Sequence, residues 1–163
     1  MDREDYDTAL DLLMDSYEEY QDSADINMLI GEIKYKRELF DEAESYMLKA
    51  YELNKDSSQV IDRLAIINIK KGNYPEALKY SKELLELEPY SLASKQRIAL
   101  LYFELDDSEE FDEVLNDFND DELYSLFSLI YDKEKDKKLD RDLLIKYLKE
   151  ARECRILFKN LKY

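Results

Sequence analysis

Glycine and proline are scarce in this sequence, with two of each among 163 residues. Together they make up about 2–3% of the chain, whereas average proteins contain about 12%. A β-sandwich or β-barrel needs turn residues roughly every 8–12 positions, so the composition excludes both. Valine occurs only twice and threonine once, against 26 leucines. Because leucine favours helices while valine and threonine favour strands, the sequence predicts an all-α protein.

Histidine is absent and cysteine occurs once, as Cys154. Without histidine the chain lacks the usual general base near neutral pH and the commonest transition-metal ligand. A single cysteine forms neither an intramolecular disulfide nor a thiolate metal cluster. The sequence also has no basic leader followed by an apolar stretch, and no run of about 18 apolar residues. We therefore expect no cofactor, no metal and no membrane insertion. We also expect the protein to lie in a reducing, cytoplasmic compartment.

Basic side chains are outnumbered, with 24 against 40 acidic ones and a net charge of −16. Nucleic-acid binding needs clustered cations, so a nucleic-acid partner is not expected. The acids form two blocks, which either steer a basic partner or act as solvated faces that keep the protein soluble. The net charge is −10 over residues 1–32, +1 over residues 33–103, −11 over residues 104–122 and +4 over residues 123–163.

A repeat of 34 residues runs through the middle of the chain. Shifting the sequence by 34 lays residues 31–55 over residues 65–89 without a gap. A second shift gives a third, degraded copy. Small residues at equivalent positions are typical of close helix crossings, so they are interpreted as packing contacts. The matched positions are Gly31 with Ala65 and Ala99, Phe40 with Tyr74, Ala43 with Ala77 and Phe111, and Leu53 with Leu87.

This period and its apolar stripe resemble the tetratricopeptide repeat family. In the best copy, Gly72, Tyr74, Ala77 and Pro89 stand where that motif has them. The resemblance implies a right-handed superhelix of antiparallel helix pairs within a single domain, residues 1–163. We expect a half repeat at 1–23, repeats at 24–57 and 58–91, a degenerate repeat at 92–120, and a C-terminal hairpin with a long capping helix at 121–163.

The local signals predict nine helices. Gly72 is expected to end one of them, with Asn73 as the N-cap of the next and Pro75 in its first turn. The expected helices lie near residues 2–21, 24–38, 40–54, 58–71, 74–88, 91–105, 109–119, 121–132 and 140–160.

Candidate catalytic groups each have a simpler structural interpretation. The acidic pairs Asp106-Asp107, Glu109-Glu110 and Asp120-Asp121 are typical of helix caps and solvated charge rather than of an acid/base pair. An EF-hand starting at Asp132 fails, because Lys137 replaces the turn glycine and Leu143 replaces the last glutamate. Cys154 lies on an apolar stripe, which indicates a buried packing residue. The sequence therefore predicts no enzyme.

A binding groove is the remaining kind of site. In stacked helix pairs the first helix of each pair lines the inner wall, and its residues between packing positions face the groove. The alternative is that the chain's own last helix fills this groove. By resemblance the groove residues are Met28, Glu32, Tyr35 and Lys36 in the first copy, Asp62, Arg63, Ile66, Ile69 and Lys70 in the second, and Gln96, Arg97, Leu100 and Phe103 in the third.

The groove predicts a protein–protein interaction module that binds a peptide or helical segment of a partner protein, with a monomer favoured. Family members that grip the C-terminal carboxylate of heat-shock chaperones need Lys and Asn where Met28 and Glu32 stand here, so that specificity is not expected. Two alternatives stay open. The chain resembles acidic chaperones of bacterial secretion in length and charge, and it could also be a structural fragment of a longer scaffold.

Overall fold

The computed structural model describes residues 3–134, which contain eight helices and no strand. The predicted all-α class and the first eight helices are confirmed, whereas the expected helix at 140–160 and Cys154 lie outside the described residues. The helices are α1 (Arg3–Tyr20), α2 (Ala24–Lys36), α3 (Phe40–Leu53), α4 (Ser58–Lys70), α5 (Tyr74–Leu87), α6 (Leu92–Glu104), α7 (Ser108–Leu115) and α8 (Asp120–Glu134).

The chain divides into two compact units, Met1–Ser91 and Leu92–Tyr163. The boundary falls where the sequence predicts the end of the second full repeat. The first unit contains α1–α5 and the second contains α6–α8. The single-domain organisation stays a prediction.

The core of the first unit is built by two helix pairs, α2 with α3 and α4 with α5, joined by packing of α3 against α4. The apolar positions of each helix recur at intervals of three and four residues, which places them on one side. Fully or nearly fully buried members of this core are Ala43, Met47, Ala50, Val60, Ile61, Leu64, Ala65, Ile67, Tyr80 and Leu84.

Gly31 is the point of closest approach between α2 and α3. A Cβ atom added to it would lie 2.9 Å from Cε and 3.0 Å from Cγ of Met47, and 3.3 Å from the carbonyl oxygen of Ala43. Met47 and Ala43 are completely buried. The interpretation of Gly31 as a packing contact is therefore confirmed, because a side chain there would require the Met47 side chain to shift.

Each helix pair turns through one residue in the left-handed region, and these residues are 34 positions apart. Glu38, Gly72 and Asp106 have φ angles of 61°, 73° and 55°. In each turn the following residue donates its backbone N–H to the carbonyl five residues earlier, which closes a Schellman motif. These bonds run from Leu39 to Lys34 (3.0 Å), Asn73 to Asn68 (2.9 Å) and Asp107 to Tyr102 (3.0 Å).

Asn73 occupies the N-cap position of α5, but its side chain makes no capping hydrogen bond. The predicted N-cap position is confirmed, whereas a side-chain capping bond is not formed. Nδ2 of Asn73 instead donates to Oδ1 of Asn68 at 3.0 Å, and Nδ2 of Asn68 donates to the carbonyl of Leu64 at 3.0 Å. Because Asn68 is completely buried, this contact satisfies an acceptor that would otherwise be costly to bury.

A second buried amide, Asn27, fixes the corner between α1 and α2. Its Nδ2 donates to the carbonyls of Gln21 at 2.7 Å and Ser23 at 2.8 Å. Its Oδ1 accepts from the Tyr17 hydroxyl at 3.3 Å. Further along the pair, Leu10 of α1 packs with Ile30 and Ile33 of α2. These contacts hold α1 against α2.

In the second unit the pair of α6 and α7 keeps the turn but not the helix length. The sequence predicts a helix at 109–119, whereas α7 ends at Leu115. Phe111 replaces the alanine of the earlier copies, and its ring lies 5.9 Å from that of Phe103. Beyond α7, Oδ1 of Asn119 accepts the N–H groups of Asp121 and Glu122, both at 3.0 Å. This cap starts α8 and explains why α7 stops early.

Replacing Glu38 by glycine should stabilise the protein by about 1 kcal/mol, because glycine adopts the left-handed turn without the penalty of a side chain. The measurement is urea unfolding followed by circular dichroism. The matched change Glu52→Gly, in the last turn of α3, should destabilise by about as much, since that residue is helical. A loss of stability in Glu38→Gly would contradict the role of the turn.

Tyr51 of α3 donates its hydroxyl to Oε1 of Glu83 on α5 at 2.6 Å. This hydrogen bond, with burial second, raises the pKa of Tyr51 from 10.0 to about 12. The folded protein thus keeps a proton that the unfolded chain loses near pH 10. The contribution of this contact to stability is therefore complete below about pH 10 and is lost as the pH rises to about 12.

We expect Tyr51 to titrate near pH 12 in the folded protein, as followed by NMR of tyrosine ring carbons. Glu83→Gln should lower the pKa of Tyr51, because the acceptor loses its charge. Glu52→Gln, which removes an exposed carboxylate next to Tyr51 in sequence, is the control and should leave it unchanged. Titration of Tyr51 near pH 10 in the unaltered protein would show that the contact is not formed.

Candidate functional site

The predicted groove residues of the first two copies lie on α2 and α4 of the first unit. Their spacings are four, three and one residues on α2 and one, three, three and one residues on α4, which places them on one side of each helix. We call this surface the α2–α4 face. It consists of Met28, Leu29, Glu32, Tyr35 and Lys36 from α2, and Asp62, Arg63, Ile66, Ile69 and Lys70 from α4.

An ion pair joins the two helices across this face. Nε of Arg63 lies 2.5 Å from Oε1 of Glu32, and the two side chains are only 23% and 20% exposed. The guanidinium carbon of Arg63 also lies 5.0 Å from the centre of the Tyr35 ring. Arg63 therefore holds Glu32 and Tyr35 in place, which gives the face a defined geometry.

The apolar side chains of the face are half-buried. Met28 and Tyr35 pack against the core of the first unit, and Tyr35 lies 5.8 Å from Phe40 between ring centres. Ile66 and Ile69 of α4 are also half-buried. The face is thus neither sealed like the core nor fully solvated, so it offers apolar surface on a fixed framework.

Leu29 is a member of the face that the sequence analysis missed. Its side chain is 46% exposed, whereas the core leucine Leu64 is completely buried. Leu29 follows Met28 on α2. Leu29 stands 34 residues before Arg63, a position already assigned to the groove in the second copy. The repeat register therefore contained the signal that identifies it.

Charged residues lie at both ends of the face. Lys36 and Lys70 are exposed, occupy the last turns of α2 and α4, and are 34 residues apart. Asp25, in the first turn of α2, is exposed at the opposite end. Asp62 is half-buried. The face is therefore polarised along the helices, with exposed positive charge at their C-terminal ends.

The predicted groove residues of the third copy belong to the second unit. Nε2 of Gln96 donates to Oγ of Ser125 on α8 at 3.0 Å. Leu100 and Phe103 pack against the core of this unit, and Arg97 is half-buried. Leu100 and Phe103 therefore bury part of their apolar surface within the core of the second unit.

The acidic pairs have structural roles in the residues described. Oδ1 of Asp107 accepts the N–H of Glu110 at 3.4 Å, and Asp120 and Asp121 begin α8 behind the Asn119 cap. Between residues 3 and 134, no three acidic or cysteine side chains are placed to hold a metal ion. The segment rejected as an EF-hand starts at Asp132 and continues beyond the described residues. Of the helices described, none combines the length and apolar character needed to cross a membrane.

The sequence of residues 24–57, which form α2, α3 and the turn between them, matches the tetratricopeptide repeat family. These are also the bounds that the sequence predicts for the first full repeat. No curated protein sequence matches the chain.

Solved structures show the same fold. A crystal structure of MamA aligns with 99% of this chain and 94% of its own at a TM-score of 0.68 and 17% identity. The first tetratricopeptide repeat domain of Spaghetti (RPAP3), bound to the HSP90 peptide SRMEEVD, aligns with 63% of this chain and 82% of its own. Its TM-score is 0.58 and its sequence identity is 20%. The Arabidopsis OM64 tetratricopeptide repeat domain aligns with 60% of this chain and 81% of its own, at a TM-score of 0.55 and 18% identity. At these identities the likeness concerns the fold.

The ion pair across the α2–α4 face should give a measurable coupling energy. A double-mutant cycle of Glu32→Gln and Arg63→Met is expected to yield about 0.5–1 kcal/mol in urea unfolding, because both side chains are largely shielded from solvent. The exposed pair Lys79–Glu76 is the control and should yield almost none. Equal coupling in the two cycles would contradict a special role for Arg63.

Proposed function

We propose that this chain is a non-enzymatic protein-interaction module that binds a peptide or helical segment of a partner protein on the α2–α4 face. The observation that carries the proposal is the partial exposure of apolar side chains on a fixed framework. Leu29 is 46% exposed, and Ile66 and Ile69 are half-buried. Apolar surface of this kind, bordered by charge, is typical of interaction sites.

A fixed face lowers the cost of binding, since fewer side chains must be ordered when the partner arrives. Arg63 supplies this order through Glu32 and Tyr35. The related fold of the Spaghetti domain binds a peptide, which supports a peptide as the type of ligand here. In this chain Arg63 is already paired with Glu32, so the face does not favour an acidic C-terminal peptide.

The non-enzymatic part of the proposal rests on the chemistry of the residues. The chain contains no histidine, and the acidic pairs in the described part cap or begin helices. The side chains that the α2–α4 face presents are an ion pair, two lysines, an aspartate and apolar groups. This set supports recognition of a polypeptide rather than catalysis.

A ligand for the test comes from a displayed library of random peptides selected on the full chain. Ile66→Asp should weaken the selected peptide at least about tenfold, because a carboxylate then stands in the apolar centre of the face. Binding is measured by fluorescence anisotropy. Leu48→Asp is the control, since Leu48 is a 37% exposed leucine of α3 outside the face, and it should change affinity less than about twofold.

Circular dichroism must show that both variants keep their helices. Backbone NMR shifts on adding the peptide should concentrate in α2 and α4. Shifts concentrated in α3 and α5, or full affinity in a folded Ile66→Asp variant, would place binding elsewhere.

A further inference from the structure

Most cations of the first unit are engaged by groups of the same unit. Five of the ten Lys and Arg residues between 33 and 91 form ion pairs, and Lys49 and Lys55 lie over tyrosine rings. These seven cations are therefore committed internally. The ion pairs are Lys34–Glu42, Arg37–Asp7, Arg63–Glu32, Lys71 with Asp41 and Glu44, and Lys79–Glu76.

Asp7 of α1 pairs with Arg37, but four other carboxylates of α1 and of the corner leading into α2 lack such compensation. Asp15, Glu19, Asp22 and Asp25 are all exposed, and the structure gives them no ion pair within the part of the chain that it describes. No Lys or Arg occurs between residues 4 and 32. We call these four residues the acidic edge.

The acidic edge reaches the α2–α4 face at Asp25. Asp25 precedes Leu29 by one helical turn, so the two side chains lie on the same side of α2. Tyr17 turns the inner side of α1 toward Tyr46 of α3 and Asn27 of α2, which leaves Asp15 and Glu19 on the solvent side. The buried amide of Asn27 fixes the corner between α1 and α2, so Asp22 and Asp25 keep a defined position at the N-terminal end of α2.

We propose that the segment bound on the α2–α4 face is a cationic, amphipathic stretch of a partner protein. This inference rests on the proposed function and specifies its ligand. Apolar side chains of the partner contact Leu29 and Ile66, while its lysine or arginine residues lie along the acidic edge. An acidic segment would meet uncompensated carboxylates there, so charge complementarity favours the cationic one.

The polarity of the face also sets the direction of the ligand. Positive charge at Lys36 and Lys70 lies at the end of the helices opposite to Asp25. The basic part of the ligand therefore lies toward the corner of α1 and α2. Any acidic part lies toward the two lysines.

The probes are three labelled peptides of equal length. The first carries leucine and lysine in helical amphipathic order, the second has glutamate in place of lysine, and the third has serine in place of leucine. We expect the Leu/Lys peptide to bind the full chain at least about tenfold more tightly than either of the others at about 0.15 M salt. Equal affinity of the Leu/Glu peptide would overturn the inference, and equal affinity of the Lys/Ser peptide would reduce binding to simple charge attraction.

A variant with a neutralised acidic edge separates local contact from net charge. It should weaken the Leu/Lys peptide at least about tenfold, whereas a control with the same loss of charge at exposed carboxylates of α3, α5 and the segments after them should weaken it less than about threefold. Equal weakening by both would overturn the inference. The edge variant carries Asp15→Asn, Glu19→Gln, Asp22→Asn and Asp25→Asn, and the control carries Glu52→Gln, Asp56→Asn, Glu86→Gln and Glu88→Gln.

The Ile66→Asp variant distinguishes this inference from the function on which it rests. If Ile66→Asp loses the Leu/Lys peptide while the edge variant keeps it, the face binds peptides but the acidic edge does not select them. The cationic ligand is then wrong and the proposed function stands. If both folded variants keep full affinity for the probe and for a library-selected peptide, both proposals fall.

Discussion

The close approach of paired helices is the constraint on which the first unit depends. At Gly31 a Cβ atom would lie 2.9 Å from Cε of Met47, so that side chain would have to shift, and the completely buried Ala65 takes the equivalent place on α4. Contact this close uses the inner side of each first helix for packing against its partner. The remaining apolar residues, such as Leu29 and Ile66, are then left on the outer side. The surface available for binding is thus a consequence of how the pairs pack.

The same constraint explains the degraded third copy. Phe111 replaces the small residue at the crossing, and its ring packs beside Phe103. The left-handed turn survives at Asp106, but α7 ends after eight residues and Asn119 starts a new helix. The turn and the crossing are therefore separable, since the backbone of the turn tolerates a change that the helix pair does not.

Much of the fold could be predicted from the sequence because repetition makes its signals redundant. The eight described helices and the turn at Gly72 follow from periodicity and a few punctuating residues. What could not be predicted depends on single side chains with several possible partners. Asn73 bonds to a buried amide rather than capping α5, and Asn119 ends the register of the repeat. The sequence could assign the candidate site to α2 and α4. It could not give the exposure of Leu29, because that depends on how much of α2 the neighbouring helices cover.

The charge of the first unit follows from this packing as well. Arg63 is drawn to Glu32 and Tyr35 between two first helices, and other cations pair along the helix surfaces. Each such contact removes a positive charge from the surface that a partner meets, whereas the carboxylates of α1 have no cation in their own helix to pair with beyond residue 3. Within the described part of the first unit, the unpaired acid therefore reaches the α2–α4 face at its Asp25 end. A ligand must match both the apolar side chains of the face and the unpaired carboxylates, which is a stricter requirement than either feature alone.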